Sequence, residues 1–485
     1  MGAATDIVVT SRSIDGRERK TIVRVENGDI DDCQHVCRFH DHTLSNTAFS
    51  RRKPLLLYFC RQHLRKTMSK PVIAVIGTGW AGYTLAQHLS TAKYKIHVIS
   101  PIRTIQYTPL LASAACGLFD FRLAEEPVRR RSRTEVQYHK AVAQKIDFDR
   151  HIVYCKPSVE DLDRNQDFEI KYDKIIIAPG CSIQTFGTPG AEKYALFLRT
   201  TNDARLIQQR VLEMLDAASL PDVSDKQQRE LLNIRIVGGG AIGIEATAEI
   251  YDLWHEDLRF LYPHLDGKLT ITIHDVAPTI LSTFDKSLGD YALSSLHQKN
   301  VQIKTSSHIE KVEQDAIYTK EEGRMAYGLL LWATGNGANP LLDDLDVKKP
   351  EKGLPRILTD KYLRVLRSDG SSMEDAYALG DAADIDGFSL PTLAEVALQK
   401  GEYLSHELNN GDQPRKPFEY KQRALMAYLG QHDGVVGGRS EWTGESAWLA
   451  WRSGNLSWTR SWRRKIMISL SWVFVWFGGR DIARK

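Results

Sequence analysis

The chain has 485 residues, 42% hydrophobic and 26% charged, a globular composition long enough for two or three domains. Its 64 Lys+Arg against 61 Asp+Glu give +3, too even a balance to suggest a nucleic-acid partner. Six cysteines in this length are no disulfide framework, and neither a secretory signal nor an apolar run of about 18 residues is present, so no spanning helix is expected.

Residues 1–70 are the least legible. Seven acids between Asp6 and Asp32 argue against a targeting peptide there. From Thr43 to Lys70 acids vanish, and Arg51, Arg52, Lys53, Arg61, Arg65 and Lys66 interleave with Leu55–Phe59. That composition is presequence-like but displaced from the N-terminus, and Met68 offers an alternative start. The segment is an N-terminal extension, expected to be disordered or targeting. Cys33, His35, Cys37, His40 and His42 fit no zinc spacing, so no metal site is expected.

The first clear element is Val72–Ile76, an apolar β-branched run. Gly77, Gly79 and Gly82 follow at GxGxxG spacing, and Tyr83–Ser90 reads as a helix. The glycines serve a tight turn, backbone approach to a pyrophosphate and close helix–strand packing, with the helix N-terminus facing the phosphates. An ordinary Gly-rich turn is the plain alternative, but strand-before and helix-after is the context the motif requires. The second strand, Lys95–Ser100, ends in Ser100-Pro101, without the acid that usually takes ribose hydroxyls. Tyr107–Leu111 is a turn, and the strand Tyr172–Ala178 ends in Ala178-Pro179-Gly180.

Asp216–Glu230 reads as a polar surface connection. The opening pattern then recurs. Ile234–Val237 is a strand, Gly238, Gly240 and Gly243 repeat GxGxxG, and Ile244–Leu253 is a helix. Two such units predict two nucleotide folds, one for a bound flavin and one for a soluble nicotinamide cofactor. The strand Leu269–His274 ends at Asp275, an acid suited to ribose hydroxyls and repulsive to a 2′-phosphate, which favours NADH. Asp275 lies beyond the usual ~20-residue interval because Trp254–Gly267 lengthens the crossover. A surface Asp closing a strand is the alternative. The strand Tyr327–Ala333 ends in Ala333-Thr334-Gly335. Asp375–Asp381 pairs a strand with a Gly-Asp turn, where Asp381 binds a flavin hydroxyl or caps a helix. Leu390–Leu404 reads as a helix beginning beside the flavin.

Seven of the ten tryptophans fall between Trp442 and Trp476, among Arg452, Arg460, Arg463, Arg464 and Lys465. Ile466–Phe477 is too short to span ~30 Å of hydrocarbon. Its Trp-rich, basic-edged character fits a helix lying in a membrane interface, with a core or dimer-interface helix as the alternative.

The order GTGWAG, TPLL, EPVR, IVGGGAIGIE, ATG, YALGDAA, LPTLAEVALQKGEYL, AYLG and GRDIAR resembles the type II NADH:quinone oxidoreductases, the alternative NADH dehydrogenases of the fungal and plant mitochondrial type. It covers residues 71–485. TPLL, the long crossover and GRDIAR are its narrow features. The resemblance implies an α/β protein of two nested Rossmann-like domains, the two-dinucleotide-binding flavoprotein fold, with a C-terminal amphipathic membrane-docking segment. Residues 71–200 and 346–425 would form the FAD domain, 201–345 the NADH domain, and 426–485 the membrane and dimerisation segment. Noncovalent FAD falls on Gly77, Gly79, Gly82 and Asp381, with Thr108 and Pro109 of TPLL. NADH falls on Gly238, Gly240, Gly243 and Asp275, with Thr334 and Gly335 of the ATG turn. Glu245 matches a family Glu near nicotinamide and flavin, although an acid in a first helical turn is also a solvated residue that suits the dipole. The family's Ala-Gln-x-Ala-x-Gln run reads Ala394-Glu395-Val396-Ala397-Leu398-Gln399 here. Glu395 therefore replaces a Gln on the quinone side, and Gln399 is kept.

The expected activity is hydride transfer from NADH to FAD, then two electrons to a ubiquinone-type acceptor without proton pumping. The setting would be peripheral on the mitochondrial inner membrane, in a homodimer. Cys116 stands alone after the first motif, which excludes a disulfide reductase, and no Cys after Cys181 excludes a sulfide:quinone reductase. A ferredoxin-reductase or apoptosis-inducing-factor-like flavoprotein remains open, as does a flavin-binding redox sensor. Calcium control is not expected, since no DxDxDG loop occurs.

Overall fold

The computed structural model of the chain describes residues 5–12, 18–25, 70–130, 133–159, 166–411, 413–438 and 441–482. The chain divides into two units, 1–70 and 71–485. In the first, β1 (Thr5–Arg12) and β2 (Glu18–Val25) pair antiparallel, Thr5 opposite Val25, a hairpin the sequence reading did not include. The Cys33–His42 cluster, the basic stretch 43–69 and Met68 lie outside the described residues.

The second unit opens with β3 (Val72–Ile76), α1 (Trp80–His88), β4 (Lys95–Ser100), α2 (Leu111–Ala115), β5 (Gln137–Asp147), β6 (Ile152–Pro157), β7 (Phe168–Lys171) and β8 (Lys174–Ile177). It continues through α3 (Thr201–Ala218), α4 (Asp225–Leu231), β9 (Asn233–Val237), α5 (Ala241–Leu253), β10 (Thr270–His274), β11 (Gln302–Lys304) and β12 (Leu329–Trp332). Then come β13 (Ile357–Thr359), β14 (Arg364–Leu366), β15 (Ser372–Ala378), β16 (Ala383–Ile385) and α6 (Ala394–Asn410). The C-terminal part holds β17 (Ala424–Gly430), β18 (Asp433–Gly438), α7 (Glu445–Trp458) and α8 (Trp462–Gly478).

A ten-stranded sheet runs β16-β13-β14-β15-β8-β3-β4-β5-β6-β7, and a four-stranded parallel sheet runs β11-β10-β9-β12. The central strands of both are buried on both faces; in the first sheet this matches the near-continuous Val and Ile of β3 and β8, while β9 and β10 alternate isoleucine with the buried polar Arg235, Thr272 and His274. Their carboxyl ends are level: Ile76 pairs with Ile99 and Ile177, and Val237 with His274 and Trp332. Binding turns therefore gather at one edge of each sheet. Ser182–Ile183 pairs with Asn336–Gly337 and stitches one half to the other.

The stretch expected as a loop, 216–230, is instead the end of α3 and the whole of α4. Each helix starts with a capping box, Thr200 with Asp203 and Ser224 with Gln227. Pro221 sits in the short turn between them.

Candidate functional site: two glycine turns under a C-terminal helix

The two glycine turns repeat one another closely. Gly77 and Gly238 have φ of +97° and +112°, and their N–H groups donate at 2.8 Å to Ile99 O and His274 O. A Cβ on Gly77 would lie 2.0 Å from Ala178 O, and one on Gly238 2.6 Å from Ala333 O. At Gly82 and Gly243 it would lie 2.3 and 2.0 Å from the oxygens of Gly77 and Gly238, so helix and turn are in direct contact. Gly79 and Gly240 differ: they cap α1 and α5, and nothing lies within 4 Å of where their Cβ would be. Neither cap uses a side chain. First-turn N–H groups thus face an open cradle, the chemistry a pyrophosphate requires.

The ends of the second strands differ. Ser100 is knit to Thr78, Oγ to Oγ1 at 3.0 Å. Asp275 receives the Gly239 N–H on Oδ2 at 2.5 Å and the Ala277 N–H on Oδ1 at 2.8 Å. Its carboxylate thus braces the second glycine turn from within. The long interval before it has a structural cause: α5 runs on through a π turn, Trp254–Leu258, before β10 begins.

Asp381 lies in the turn between β15 and β16, and burial pushes its carboxyl up. Its Oδ2 accepts from the Cys181 thiol at 3.6 Å, and Arg199 donates to Cys181 O at 2.5 Å. Thr334 Oγ1 donates to Gln184 O at 2.5 Å, while Gly335 has open space where a Cβ would stand. Thr108 Oγ1 accepts from the Trp80 indole at 3.2 Å.

The unexpected element is α7. Trp451, Asn455 and Trp458, spaced i, i+4 and i+7, present one face to both turns. Trp458 meets Trp80 of the first motif edge-on, with centroids 5.2 Å apart. Asn455 Nδ2 donates to Pro109 O at 3.4 Å, and Trp451 Nε1 donates to Glu245 Oε1 at 2.6 Å. Glu245 is no solvated first-turn acid. It keeps some surface at the cleft, but its carboxyl is packed beneath the indole. Burial pushes that carboxyl up to about 8, against the pull of the Trp451 and Tyr428 N–H donors.

Below Glu245, Glu249, Asp252 and Glu256 follow at i+4, i+7 and i+11. Glu249 accepts from Ser113 Oγ at 2.6 Å. Asp252 accepts from the Tyr428 hydroxyl, and burial pushes it up to about 7. Arg480 closes the column. Its guanidinium reaches Glu256 at 2.9 Å, Asp257 at 3.3 Å and Glu249 at 3.7 Å.

On α6, Glu395, Gln399, Tyr403 and Glu407 form one ridge that holds the extended segment 413–423. Gln399 pairs both ways with the Lys421 backbone, at 2.9 and 3.0 Å. Tyr403 donates to Lys416 O at 2.6 Å, and Glu407 accepts from Arg415 N at 2.8 Å. Glu395 is buried, faces Arg423 at 3.5 Å and accepts from the Tyr420 hydroxyl at 3.4 Å.

The tail tryptophans were expected as interface anchors together, and they divide. Trp451 is buried, and Trp448, Trp458 and Trp472 are half-buried, packing inward. Trp462 and Trp476, on α8, are 75% and 80% exposed, with Ile466, Leu470, Phe474 and Phe477 on that helix also exposed. No helix among the described residues is long and apolar enough to cross a membrane.

Residues 71–401 match the family described as pyridine nucleotide-disulphide oxidoreductase. A probable NADH dehydrogenase of Dictyostelium discoideum is 35% identical over 432 residues, covering 87% of this chain and 93% of that protein. The mitochondrial internal alternative NAD(P)H-ubiquinone oxidoreductase A1 of Solanum tuberosum is 33% identical over 86% of this chain and 89% of its own. In fold, the chain is similar to NDH2 from Plasmodium falciparum in complex with NADH, with a TM-score of 0.78 at 21% identity, over 86% of this chain and 100% of that one.

Proposed function

Because the chain belongs to the pyridine nucleotide-disulphide oxidoreductase family, among its alternative NAD(P)H-ubiquinone oxidoreductases, we propose that it oxidises NADH through bound FAD and reduces ubiquinone at the mitochondrial inner membrane, without pumping protons. The observation that carries this reading is α7, one helix touching both nucleotide turns. Such a site lets two nucleotides meet under a cover that excludes water.

FAD, when bound, supplies the two-electron redox chemistry between the pyridine nucleotide and the quinone. In our assignment Gly77, Gly79, Gly82 and Asp381 hold it, with Thr108 and Pro109 beside its ring. Gly238, Gly240 and Gly243 take the NADH pyrophosphate, Asp275 its ribose, and Thr334 and Gly335 border the nicotinamide. Glu245 Oε1 is engaged by Trp451, and burial keeps the carboxyl largely protonated at neutral pH, so it can hold a proton beside the nucleotides. Trp80, Trp451 and Trp458 keep water from the reacting atoms. Glu395 and Gln399 border the quinone side, where the Glu395–Arg423 pair replaces the family's neutral amide. We assign FAD binding to residues 71–200 and 346–425, NADH binding to 201–345, and membrane docking and homodimerisation to 426–485, with α8 lying in the interface.

Steady-state turnover of NADH with a long-chain quinone, run beside ferricyanide on the same preparation, tests the reading. Ferricyanide reduction without quinone turnover would favour the redox-sensor alternative. Release of FMN in place of FAD on acid denaturation would overturn the flavin assignment.

A further inference from the structure

Between the loop Gly117–Leu123 and the inner edge of α8 lies a groove of about 770 Å³. One wall is apolar: Leu118, Phe119, Phe121 and Leu123 from the loop, Met467 and Phe474 from the helix. Met467 and Phe474 are also 44% and 71% exposed, so the groove opens onto the same helix surface that carries Ile466, Leu470 and Phe477. At the other end, in the first turn of α8, the lining is Arg463 and Arg464.

These two arginines have no acidic partner within salt-bridge distance among the described residues. Arg464 is half-buried, and its Nε is a buried donor with no acceptor. Tyr83, Tyr107, Arg130 and the Glu125 carboxylate lie near enough to act on Arg464, but none of them accepts from that Nε. A buried guanidinium N–H without an acceptor is costly unless an anion completes it. Two carboxylates also line the groove. Asp120 is held bidentate by Arg122, at 2.8 and 3.0 Å. Asp481 lies beyond the opposite end of α8, away from the arginines. Arg122, Gln208 and Ser471 add polar lining between, so the groove is basic at one end, carries an apolar strip of loop and helix side chains beside polar ones, and opens to the docking face.

We propose that this groove seats one anionic phospholipid, its phosphate against Arg463 and Arg464 and an acyl chain along Phe121, Met467 and Phe474. This rests on the reading that α8 lies in the membrane, and it adds a defined lipid site to it. A guanidinium pair matches phosphate oxygens, and the apolar wall matches a chain of methylenes. A quinone tail would fit the wall but leaves the arginines unanswered, and a free phosphate would satisfy the arginines but leaves the wall wet.

The test uses the full chain purified in mild detergent, with bound lipid read by native mass spectrometry. Vesicles of phosphatidylcholine, alone or with phosphatidylglycerol, are floated in parallel. The unmutated protein should retain one anionic phospholipid per chain, and added inorganic phosphate should not release it. Arg463→Gln/Arg464→Gln should lose that lipid and lower the preference for anionic vesicles by about tenfold or more. It should still float with phosphatidylcholine through α8, and ferricyanide turnover should be unchanged. Arg129→Gln/Lys465→Gln removes the same charge outside the groove and should keep the lipid. Equal loss in both double variants, release by inorganic phosphate, or no retained lipid in the unmutated protein overturns the site. Failure to float with either vesicle overturns the docking reading itself.

Discussion

Trp451 donates its indole N–H to Glu245 at 2.6 Å across 206 residues of sequence, joining the C-terminal helix to the second glycine turn. The bond favours the charged carboxyl, and burial opposes it. Trp451→Phe keeps the ring and deletes the donor. The Glu245 titration should then move up from about 8 by about one unit, since a hydrogen bond to a charged group contributes about 1.5 kcal/mol or more. The alkaline inflection of kcat/KM for NADH with quinone reads this directly, and an unmoved inflection would separate Glu245 from the rate.

The same carboxyl carries a stability signature. Its folded pKa, about 8, lies above its ordinary value of 4.5. Between those values the folded state holds a proton that the unfolded state has released, so stability falls as pH rises across that window. Glu245→Gln removes this slope. Relative to the unmutated protein, its Tm should rise progressively from pH 5 to about pH 8 and level off above it, and a constant difference would refute the buried-acid reading.

The glycines of the first turn should fail in two distinct ways. A Cβ at Gly79 has no protein atom within 4 Å, so Gly79→Val should fold with a normal far-ultraviolet spectrum and lose its flavin absorbance. Gly82→Val drives a Cβ to within 2.3 Å of Gly77 O, so it should misfold before flavin is an issue. A yellow Gly79→Val protein would put the flavin elsewhere.

The Asp275 carboxylate braces Gly239, and in the proposed NADH site it would also reject a 2′-phosphate. Asp275→Asn keeps a side-chain oxygen for the Gly239 N–H and removes the charge. NADPH should gain relative to NADH in kcat/KM, while NADH binding weakens only a few-fold. Equal use of both nucleotides by the unmutated protein would sink the assignment.

Arg480 binds the tail to the body. It is buried among Glu249, Glu256 and Asp257. Arg480→Met should cost about 3–5 kcal/mol, because the buried Glu249 and the partly buried Asp257 lose their counter-charge. Urea denaturation measures this. Deleting residues 442–485 outright would also uncover Trp80 and Glu245. Phe474→Ser/Trp476→Ser/Phe477→Ser is therefore the cleaner test of docking: vesicle binding should fall and ferricyanide turnover should stay.

The sequence by itself determined the two-nucleotide-fold architecture and the family. Each is a local signal: a β-branched run, three glycines and a helix within about 30 residues, with a spacing that backbone geometry dictates. Length sufficed to exclude a spanning helix in the tail. The tertiary structure alone decided what the tail's tryptophans do. Trp451 and Trp476 look alike in sequence, yet one is 3% exposed against Glu245 and the other 80% exposed on α8. The same holds for Glu245, whose position reads as a solvated helix start until α7 covers it, and for Arg480, one cation among many until three acids surround it. The pairing of β1 with β2 was missed although both strands carry β-branched runs, because acids and arginines flank them, and α4 was missed because its capping box, Ser224 with Gln227, opens an almost wholly polar helix. Burial is the common reason: it depends on which distant segment packs above a residue, and neither composition nor periodicity records that partner.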